Sequence, residues 1–103
     1  MQKVSKIKSP YSKEVYKKVA ELYKVMASPK RLEILTAIAD KEATVNELSK
    51  MLGTRKSNTS QHLAYLRYTG IVSTRRNGKN VFYKLVDPKI IEPFKIFTEL
   101  KNR

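Results

Sequence analysis

The part of the sequence that most constrains the fold is residues 54–72, TRKSNTSQHLAYLRYTGIV, which we call the central segment. Gly53 precedes it and Gly70 lies near its end, so we expect a chain turn at both places. Its first half has two cations followed by short polar side chains, whereas its second half carries Leu63 and Leu66 at helical spacing. Such a helix can be anchored in a core by one half while the other half stays exposed to a partner.

The exposed half of this helix has side chains that suit the major groove of DNA. Hydroxyl and amide groups can read base edges there, and cations can neutralise phosphates. We therefore predict a recognition helix in which the short polar side chains specify the sequence, while Arg55 and Lys56 position the protein. The predicted DNA-binding residues of the central segment are Arg55, Lys56, Ser57, Asn58, Ser60 and Gln61.

The charge of the chain favours a polyanionic partner. It has 22 Lys and Arg against 9 Asp and Glu, a formal net charge of +13, which repels itself in the compact state. A lysine-rich surface that faces only solvent is the alternative interpretation of part of this charge. Because 41% of the residues are hydrophobic and periodically spaced, we do not expect a disordered basic tail, and 103 residues indicate one domain, 1–103.

The composition also excludes several classes of protein. Without cysteine the chain can form neither disulfides nor thiolate metal sites, and with one histidine it offers no Ser-His-Asp or Cys-His catalytic set. No glycine-rich phosphate loop occurs among its three glycines, so we do not expect an enzyme. No apolar run approaches the ~18–20 residues that span a bilayer, and no signal-peptide pattern is present. We expect a cytoplasmic, nucleoid-associated protein.

The chain before the central segment begins with a basic stretch and a long amphipathic helix. Residues 1–10 contain several lysines and few apolar side chains, so we predict a flexible arm. A helix over residues 12–27, capped by Ser12, would carry two adjacent apolar stripes, although one would be enough for the core of this domain. The second stripe suggests a partner subunit, but a broad core face with tyrosine hydroxyls in water fits equally well.

Two further helices are predicted before the central segment. A Ser-Pro pair at residues 28–29 supplies a cap and a first-turn proline, and that helix should end near residue 40. A Thr-x-x-Glu capping box at residues 44–47 precedes a helix over residues 45–51. Residues 44–69 then have the order helix, glycine-containing turn, helix, which is a helix-turn-helix.

Residues 71–85 change to the alternating pattern of two β-strands. Asn77-Gly78 is typical of a two-residue type I′ hairpin loop, which would place Arg76 opposite Lys79. Like charges facing each other are unfavourable, so we expect the hairpin tip to meet a phosphate backbone, with a solvated basic turn as the alternative. The expected phosphate contacts are Arg75, Arg76 and Lys79. The expected buried face comprises Val72, Val81, Tyr83 and Leu85.

The last element is a helix over residues 87–101 that begins with Asp87 as cap and Pro88 in the first turn. Pro93 lies inside it, so either the helix kinks there or its regular part starts near that residue. Large apolar side chains continue to the end of this helix, which again suggests a partner face.

Three segments of the chain together match one known pattern. They are MASPKRLEIL at residues 26–35, the leucines, serines, His62 and glycines of residues 48–72, and RRNGKNVFYKL at residues 75–85. In this order they resemble the ArsR family of winged helix-turn-helix transcriptional repressors. The resemblance implies a mainly α fold with a small β-hairpin (α+β), in the order α-α-α-α-β-β-α, with residues 71–85 as the wing.

The resemblance also implies a homodimer built from the helices at residues 12–27 and 87–101. Its two recognition helices would enter successive major grooves, with half-sites ~34–36 Å apart. This agrees with the surplus apolar faces on both helices. The implied dimerisation residues are Val15, Tyr16, Val19, Leu22, Tyr23, Ile91, Phe94, Phe97 and Leu100.

The chain departs from the family pattern at the metal sites and at one cap. Many members sense metals through a cysteine pair near residues 43–48, or through histidines on the last helix, and this chain has neither. Because carboxylates alone hold transition metals poorly, we predict no metal and no other cofactor. Arg55 stands where the family usually has a capping serine, so we expect the helix to start later, with Ser57 as its cap.

The sequence therefore predicts a homodimeric, sequence-specific double-stranded DNA-binding regulator, in which a repressor is favoured over an activator. A nucleoid protein that coats DNA with little sequence preference is the alternative, and RNA binding comes third because the aromatic residues form no stacking platform. We interpret His62 as a packing or hydrogen-bonding residue, with a pH switch as the less favoured alternative.

Overall fold

The computed structural model describes residues 6–102, so the first half of the predicted arm lies outside the described residues. Five α-helices and one antiparallel hairpin occur in this range, which confirms the mainly α fold class and the predicted order of elements. In chain order the elements are α1 (Lys13–Met26), α2 (Pro29–Ala37), α3 (Val45–Leu52), α4 (Lys56–Tyr68), β1 (Val72–Asn77), β2 (Asn80–Leu85), a 3₁₀ turn (Pro88–Ile91) and α5 (Glu92–Lys101).

Side-chain caps begin the first three helices as predicted. Ser12 and Ser28 accept hydrogen bonds from backbone N–H groups three residues further on, at 3.2 and 3.3 Å. At α3, Thr44 Oγ1 accepts from the Glu47 N–H at 3.2 Å, and Glu47 Oε1 accepts from the Thr44 N–H at 2.9 Å. The local sequence therefore fixes where these helices start. The end of α2 comes earlier than predicted, at Ala37, because the chain turns there toward the hairpin.

The core lies between α2, α3, α4 and the inner part of the hairpin. The last two turns of α4 are anchored in it by side chains that are fully buried, as predicted from their spacing. Burying each such side chain contributes about 1.5–3 kcal/mol relative to leaving it exposed. The buried apolar residues are Val25, Ile34, Leu35, Ile38, Ala43, Leu48, Leu63, Leu66, Ile71, Val72, Leu85 and Ile91.

The hairpin exists as predicted, but its loop and its register differ from the prediction. The two loop residues are Gly78 and Lys79, so Asn77 pairs with Asn80 and Arg76 faces Val81. Gly78 has φ +63°, and no residue other than glycine has a positive φ within residues 6–102. Glycine alone in the left-handed position fits a type II′ turn, whereas the predicted type I′ turn needs two such residues. The expected opposition of Arg76 and Lys79 was therefore wrong.

The observed register keeps the inner face of the hairpin that the sequence predicts. It pairs Val72 with Leu85, and both side chains are buried. Because the pairing moved by an even number of residues, the expected buried face is kept. Val81 and Tyr83 on that face are only half-buried, so burial decreases from the root of the hairpin toward its tip.

A short bridge fixes the hairpin to the loop before α3. The Ala43 N–H donates to the Tyr83 carbonyl at 3.0 Å, and the Tyr83 N–H donates to the Ala43 carbonyl at 2.8 Å. These two hydrogen bonds add Ala43 to the sheet beside β2. The wing is therefore tied directly to the start of the helix-turn-helix.

The helices at the two ends pack differently from the rest of the molecule. In α1 only Val25 is buried, and α5 has no buried side chain. The molecule is accordingly elongated, with extents of 64 × 34 × 22 Å. Pro93 lies in the first turn of α5 after the 3₁₀ turn, so the regular helix starts there, as one of the two predicted alternatives required. None of the helices within residues 6–102 is long and apolar enough to cross a membrane.

Candidate nucleic-acid interface

The turn between α3 and α4 sets the direction of the predicted recognition helix. Gly53 ends α3 in the left-handed conformation, with φ +67°. An added Cβ atom would meet nothing within 4 Å, so the requirement for glycine comes from this backbone conformation and not from crowding. The next residue, Thr54, donates its N–H to the Ser49 carbonyl at 3.2 Å. The chain therefore leaves α3 along one fixed path.

The start of α4 is held by Thr59 and not by the predicted cap. Arg55 is the N-cap residue and its side chain makes no capping hydrogen bond, whereas Ser57 already lies inside the helix. The Thr59 side chain is fully buried, and its hydroxyl lies 3.0 Å from the Thr54 hydroxyl and donates to the Arg55 carbonyl at 3.3 Å. The prediction of Ser57 as cap was wrong because a buried threonine fixes the turn from below.

The two faces of α4 differ completely in burial. Thr59, Leu63 and Leu66 face the core, and each has 0% exposure. All the side chains predicted to bind DNA from this helix are exposed: Arg55, Lys56, Ser57, Asn58, Ser60 and Gln61. The structure therefore presents hydroxyls, amides and cations together on one surface, while the opposite face holds the helix rigidly.

The wing cations fall into two kinds. Arg76 and Lys79 are exposed near the tip of the hairpin. Arg75 is instead bound to Glu42, since its Nε lies 3.1 Å from both carboxylate oxygens and its Nη2 also pairs with Oε1. Its guanidinium carbon lies 4.7 Å from the centroid of the Phe82 ring.

The pairing of Arg75 with Glu42 changes how both side chains titrate. The hydrogen bond from Arg75 lowers the pKa of the Glu42 carboxyl below its ordinary value, and the same bond raises the pKa of Arg75. The two residues are 33 positions apart in the sequence. No sequence pattern links them, which is why the prediction missed Glu42 and treated Arg75 like the other wing cations.

A second group of cations lies where α2 meets α4. The Arg31 guanidinium carbon lies 4.6 Å from the centroid of the Tyr65 ring, and the Arg31 Nε is buried without a hydrogen-bond partner. His62 is half-buried beside them, and burial, then the charges of Arg31 and Lys30, lower the pKa of its imidazole. These residues were not among the predicted contacts. A signal was present, because cations are unfavourable in the first turn of a helix, where Lys30 and Arg31 lie.

The residues predicted to form a dimer lie on α1 and α5, and eight of the nine are exposed by 36–68%. Ile91 differs, because it is buried in the core of the chain and supports the start of α5. A groove of about 300 Å³ runs between the two helices. Its lining is apolar: Tyr23, Met26, Leu32, Ile90, Ile91, Pro93, Phe94 and Phe97. Both terminal helices thus expose apolar surface on the isolated chain.

Within residues 6–102, no group of three or more His, Cys, Asp or Glu side chains is close enough to hold a metal ion. The predicted absence of a metal sensor stays a prediction.

The sequence and the fold both match known regulatory proteins. A family model described as "Bacterial regulatory protein, arsR family" matches residues 28–74, which contain α2, α3 and α4. The HTH-type transcriptional regulator KmtR of Mycobacterium tuberculosis is 42% identical over 67 residues, which is 65% of this chain but only 52% of KmtR. The transcriptional activator HlyU of Vibrio cholerae is 42% identical over 86 residues, 84% of this chain and 76% of HlyU.

Solved structures of relatives superpose on most of the molecule. HlyU from Vibrio cholerae has a TM-score of 0.78 at 36% identity and covers 89% of this chain and 100% of that chain. The transcriptional repressor BigR from Xylella fastidiosa has a TM-score of 0.74 at 33% identity, covering 87% and 96%. Together with the exposed recognition surface and the hairpin, these matches show that the chain belongs to the ArsR family of bacterial winged helix-turn-helix DNA-binding transcriptional regulators.

Proposed function

We propose that this chain is a homodimeric repressor that binds specific sequences of double-stranded DNA and lacks a cysteine- or histidine-based metal sensor. It would act in the cytoplasm, on the nucleoid. The observation that carries the proposal is the division of α4 into a buried face and an exposed face of hydroxyls, amides and cations. Such a helix can enter a major groove without losing its support from the core.

The roles we assign on the DNA follow from the chemistry of each side chain. Asn58 and Gln61 can each form two hydrogen bonds to one base, and the hydroxyls of Ser57 and Ser60 accept or donate at either kind of base pair. The cations Arg55 and Lys56, with Arg76 and Lys79 in the wing, would contact phosphates and set the orientation. Arg75 has a different role, since Glu42 already neutralises it.

The exposed apolar faces of α1 and α5 support the homodimer. Completing the burial of one half-exposed large apolar side chain contributes on the order of 1 kcal/mol. Eight such side chains per subunit would contribute roughly 10–20 kcal/mol per dimer, compared with an association cost of ~4–15 kcal/mol. A second copy of the chain is the natural occupant, because a two-fold dimer would also supply the second recognition helix.

Repression fits a protein that acts by occupying its site, and the relative BigR is named a transcriptional repressor. The name of HlyU describes an activator, so the direction of regulation needs a direct measurement. The absence of cysteine from this chain removes the thiolate ligands that a metal sensor of the family would use.

The experiment is a selection of bound duplexes from random DNA at about 50 and 200 mM salt. We expect a two-fold motif with half-sites ~34–36 Å apart and a preference of at least ~10³ over random DNA. A protein that coats the nucleoid would give neither a motif nor a preference, and that result would overturn the proposal. A reporter gene placed behind the selected site then shows whether transcription falls.

A further inference from the structure

The cations at the junction of α2 and α4 have no carboxylate to neutralise them. Two ion pairs occur within residues 6–102, Lys18 with Glu14 and Arg75 with Glu42. Lys30 and Arg31 belong to neither, and both charges act on His62. Two cations that lie together without a carboxylate repel each other, and an anion bound between them would remove that repulsion.

Arg31 is held in one orientation but is not satisfied. Its guanidinium lies over the Tyr65 ring at 4.6 Å, a cation–π contact that fixes the plane of the group. Its Nε is buried and has no hydrogen-bond partner. Because that Nε is closed to the surroundings, a phosphate would meet the outer nitrogens of the guanidinium, whose planar fork matches the geometry of a phosphate. Arg31 is therefore oriented in advance for an acceptor that the chain itself does not provide.

The position of this group along α4 indicates which acceptor it meets. Tyr65 follows Gln61 by one helical turn on the same face, ~6 Å further along the axis. A recognition helix contacts base edges with its N-terminal residues, so residues one turn further along, and the helix packed beside them, lie closer to the DNA backbone. A helix that reads bases at Gln61 would thus carry Arg31 and its neighbours toward a phosphate.

We propose that Lys30, Arg31 and His62 form a second phosphate-binding site, separate from the wing, which grips the DNA backbone beside the bases read by α4. Tyr65 is a positioning residue of this site, because it orients the Arg31 guanidinium. The inference rests on the proposed function, since the phosphate belongs to the DNA duplex that α4 reads. This site adds DNA contacts from α2, whereas the contacts expected from the sequence lie only on α4 and the wing.

The test is the salt dependence of DNA binding by the full chain. Each lost phosphate contact lowers the slope of log K against log salt by ~0.9. We expect Arg31→Gln and Lys30→Gln each to lower it by about that amount per subunit, on the selected site and on random duplexes alike. Lys89→Gln is the matched control, because Lys89 is exposed in the 3₁₀ turn and the charge change is identical. Equal slopes for Arg31→Gln and Lys89→Gln would overturn the proposal.

The role of Tyr65 is tested by a double-mutant cycle on the same slope. Tyr65→Ala should lower the slope in the native chain but not in an Arg31→Gln background, whereas Tyr65→Phe, which keeps the ring, should leave it unchanged. A merely structural role would reduce thermal stability in both backgrounds without changing the slope. Additive slope changes would contradict the positioning role.

A measurement on the unmodified protein avoids any problem of folding. The Arg31 Nε–H resonance, observed by NMR, should shift when a short duplex is added, because a phosphate on the outer nitrogens changes the electronic environment of the whole guanidinium. Saturation by inorganic phosphate alone at millimolar concentration would instead identify a free-anion site and overturn the assignment to DNA. If no duplex shows sequence preference, the proposed function fails, while the slopes on random DNA still decide whether this site exists.

Discussion

Two arginines of this molecule lie over aromatic rings at nearly the same distance, yet their surroundings differ in charge. Arg75 lies 4.7 Å from the Phe82 ring centroid and is paired with Glu42. Arg31 lies 4.6 Å from the Tyr65 ring centroid and has no carboxylate partner within residues 6–102. The sequence motif identifies Arg75 as a DNA contact and says nothing of Arg31. We therefore expect a nearby carboxylate, and not the count of basic residues, to decide which cation is available for phosphate.

We expect the largest effect from loss of the dimer, because a monomer brings only one copy of each arginine to the DNA. Phe97→Asp places a charge in the apolar face of α5, where Phe97 is 68% exposed, and should prevent dimerisation. We expect a monomer in sedimentation equilibrium and a loss of ~10²–10⁴ in affinity for the two-fold site, because linked binding is lost. Lys95→Gln, on the same helix, is the control. A dimer that persists with full affinity would contradict the assigned interface.

The next largest effect distinguishes a residue that reads bases, Gln61, from one that contacts phosphate, Lys79. Gln61→Ala should weaken binding to the selected site by ~1–3 kcal/mol and leave binding to random DNA nearly unchanged. Lys79→Ala should weaken both equally, because a phosphate contact carries no sequence information. Competition titrations with the two duplexes measure the difference. Equal losses from Gln61→Ala on both duplexes would remove its base-reading role.

A smaller effect tests the two arginines directly. Arg75→Gln should leave the salt slope nearly unchanged, whereas Arg31→Gln should lower it by ~0.9 per subunit. Glu42→Gln tests the same comparison from the other side, because it removes the carboxylate that neutralises Arg75 and should therefore raise the salt slope. Combining Glu42→Gln with Arg75→Gln should restore the native slope. If Arg75→Gln alone lowers the slope as much as Arg31→Gln does, the two sites are equivalent and the comparison fails.

The smallest effect is the pH dependence of stability, in which the two sites act in different ranges. The folded state lowers the pKa of His62, so the unfolded chain binds the proton more readily and stability should fall as pH drops through ~6.5. Glu42 also has a lowered pKa, so its stabilisation is complete above the ordinary carboxyl value and is lost as pH falls through the folded pKa. Urea unfolding midpoints measured across pH 3–8 should lack the change near pH 6.5 in His62→Gln and the acidic change in Glu42→Gln.

Features set by neighbouring residues were predictable from the sequence. Ser12, Ser28 and the Thr44–Glu47 box begin their helices as expected, since each cap acts within three residues. The burial of Leu63 and Leu66 followed from their spacing. These predictions held because in each case the physical cause lies within a few residues of the feature.

The predictions that failed or were missing depended on contacts between distant parts of the chain. The hairpin register moved by two residues to a Gly78-Lys79 loop, and because the apolar alternation is the same in either register, the sequence pattern could not separate them. α4 begins before the predicted Ser57 cap, and Thr59, whose hydroxyl donates to the Arg55 carbonyl, is buried only when the core is assembled. The pairing of Glu42 with Arg75 left no local trace, whereas the cations in the first turn of α2 did leave one.

The two hydrogen bonds between Ala43 and Tyr83 should slow the exchange of backbone amide hydrogens at the root of the wing. The backbone amides at that level are protected by three neighbouring chain segments, so they should exchange with deuterium only when a larger unit opens. The amides near Gly78 lie at an exposed tip and should exchange by local fraying. The wing is thus stiff at its root and compliant at its end, so its cations can follow grooves of different width while α4 keeps its angle.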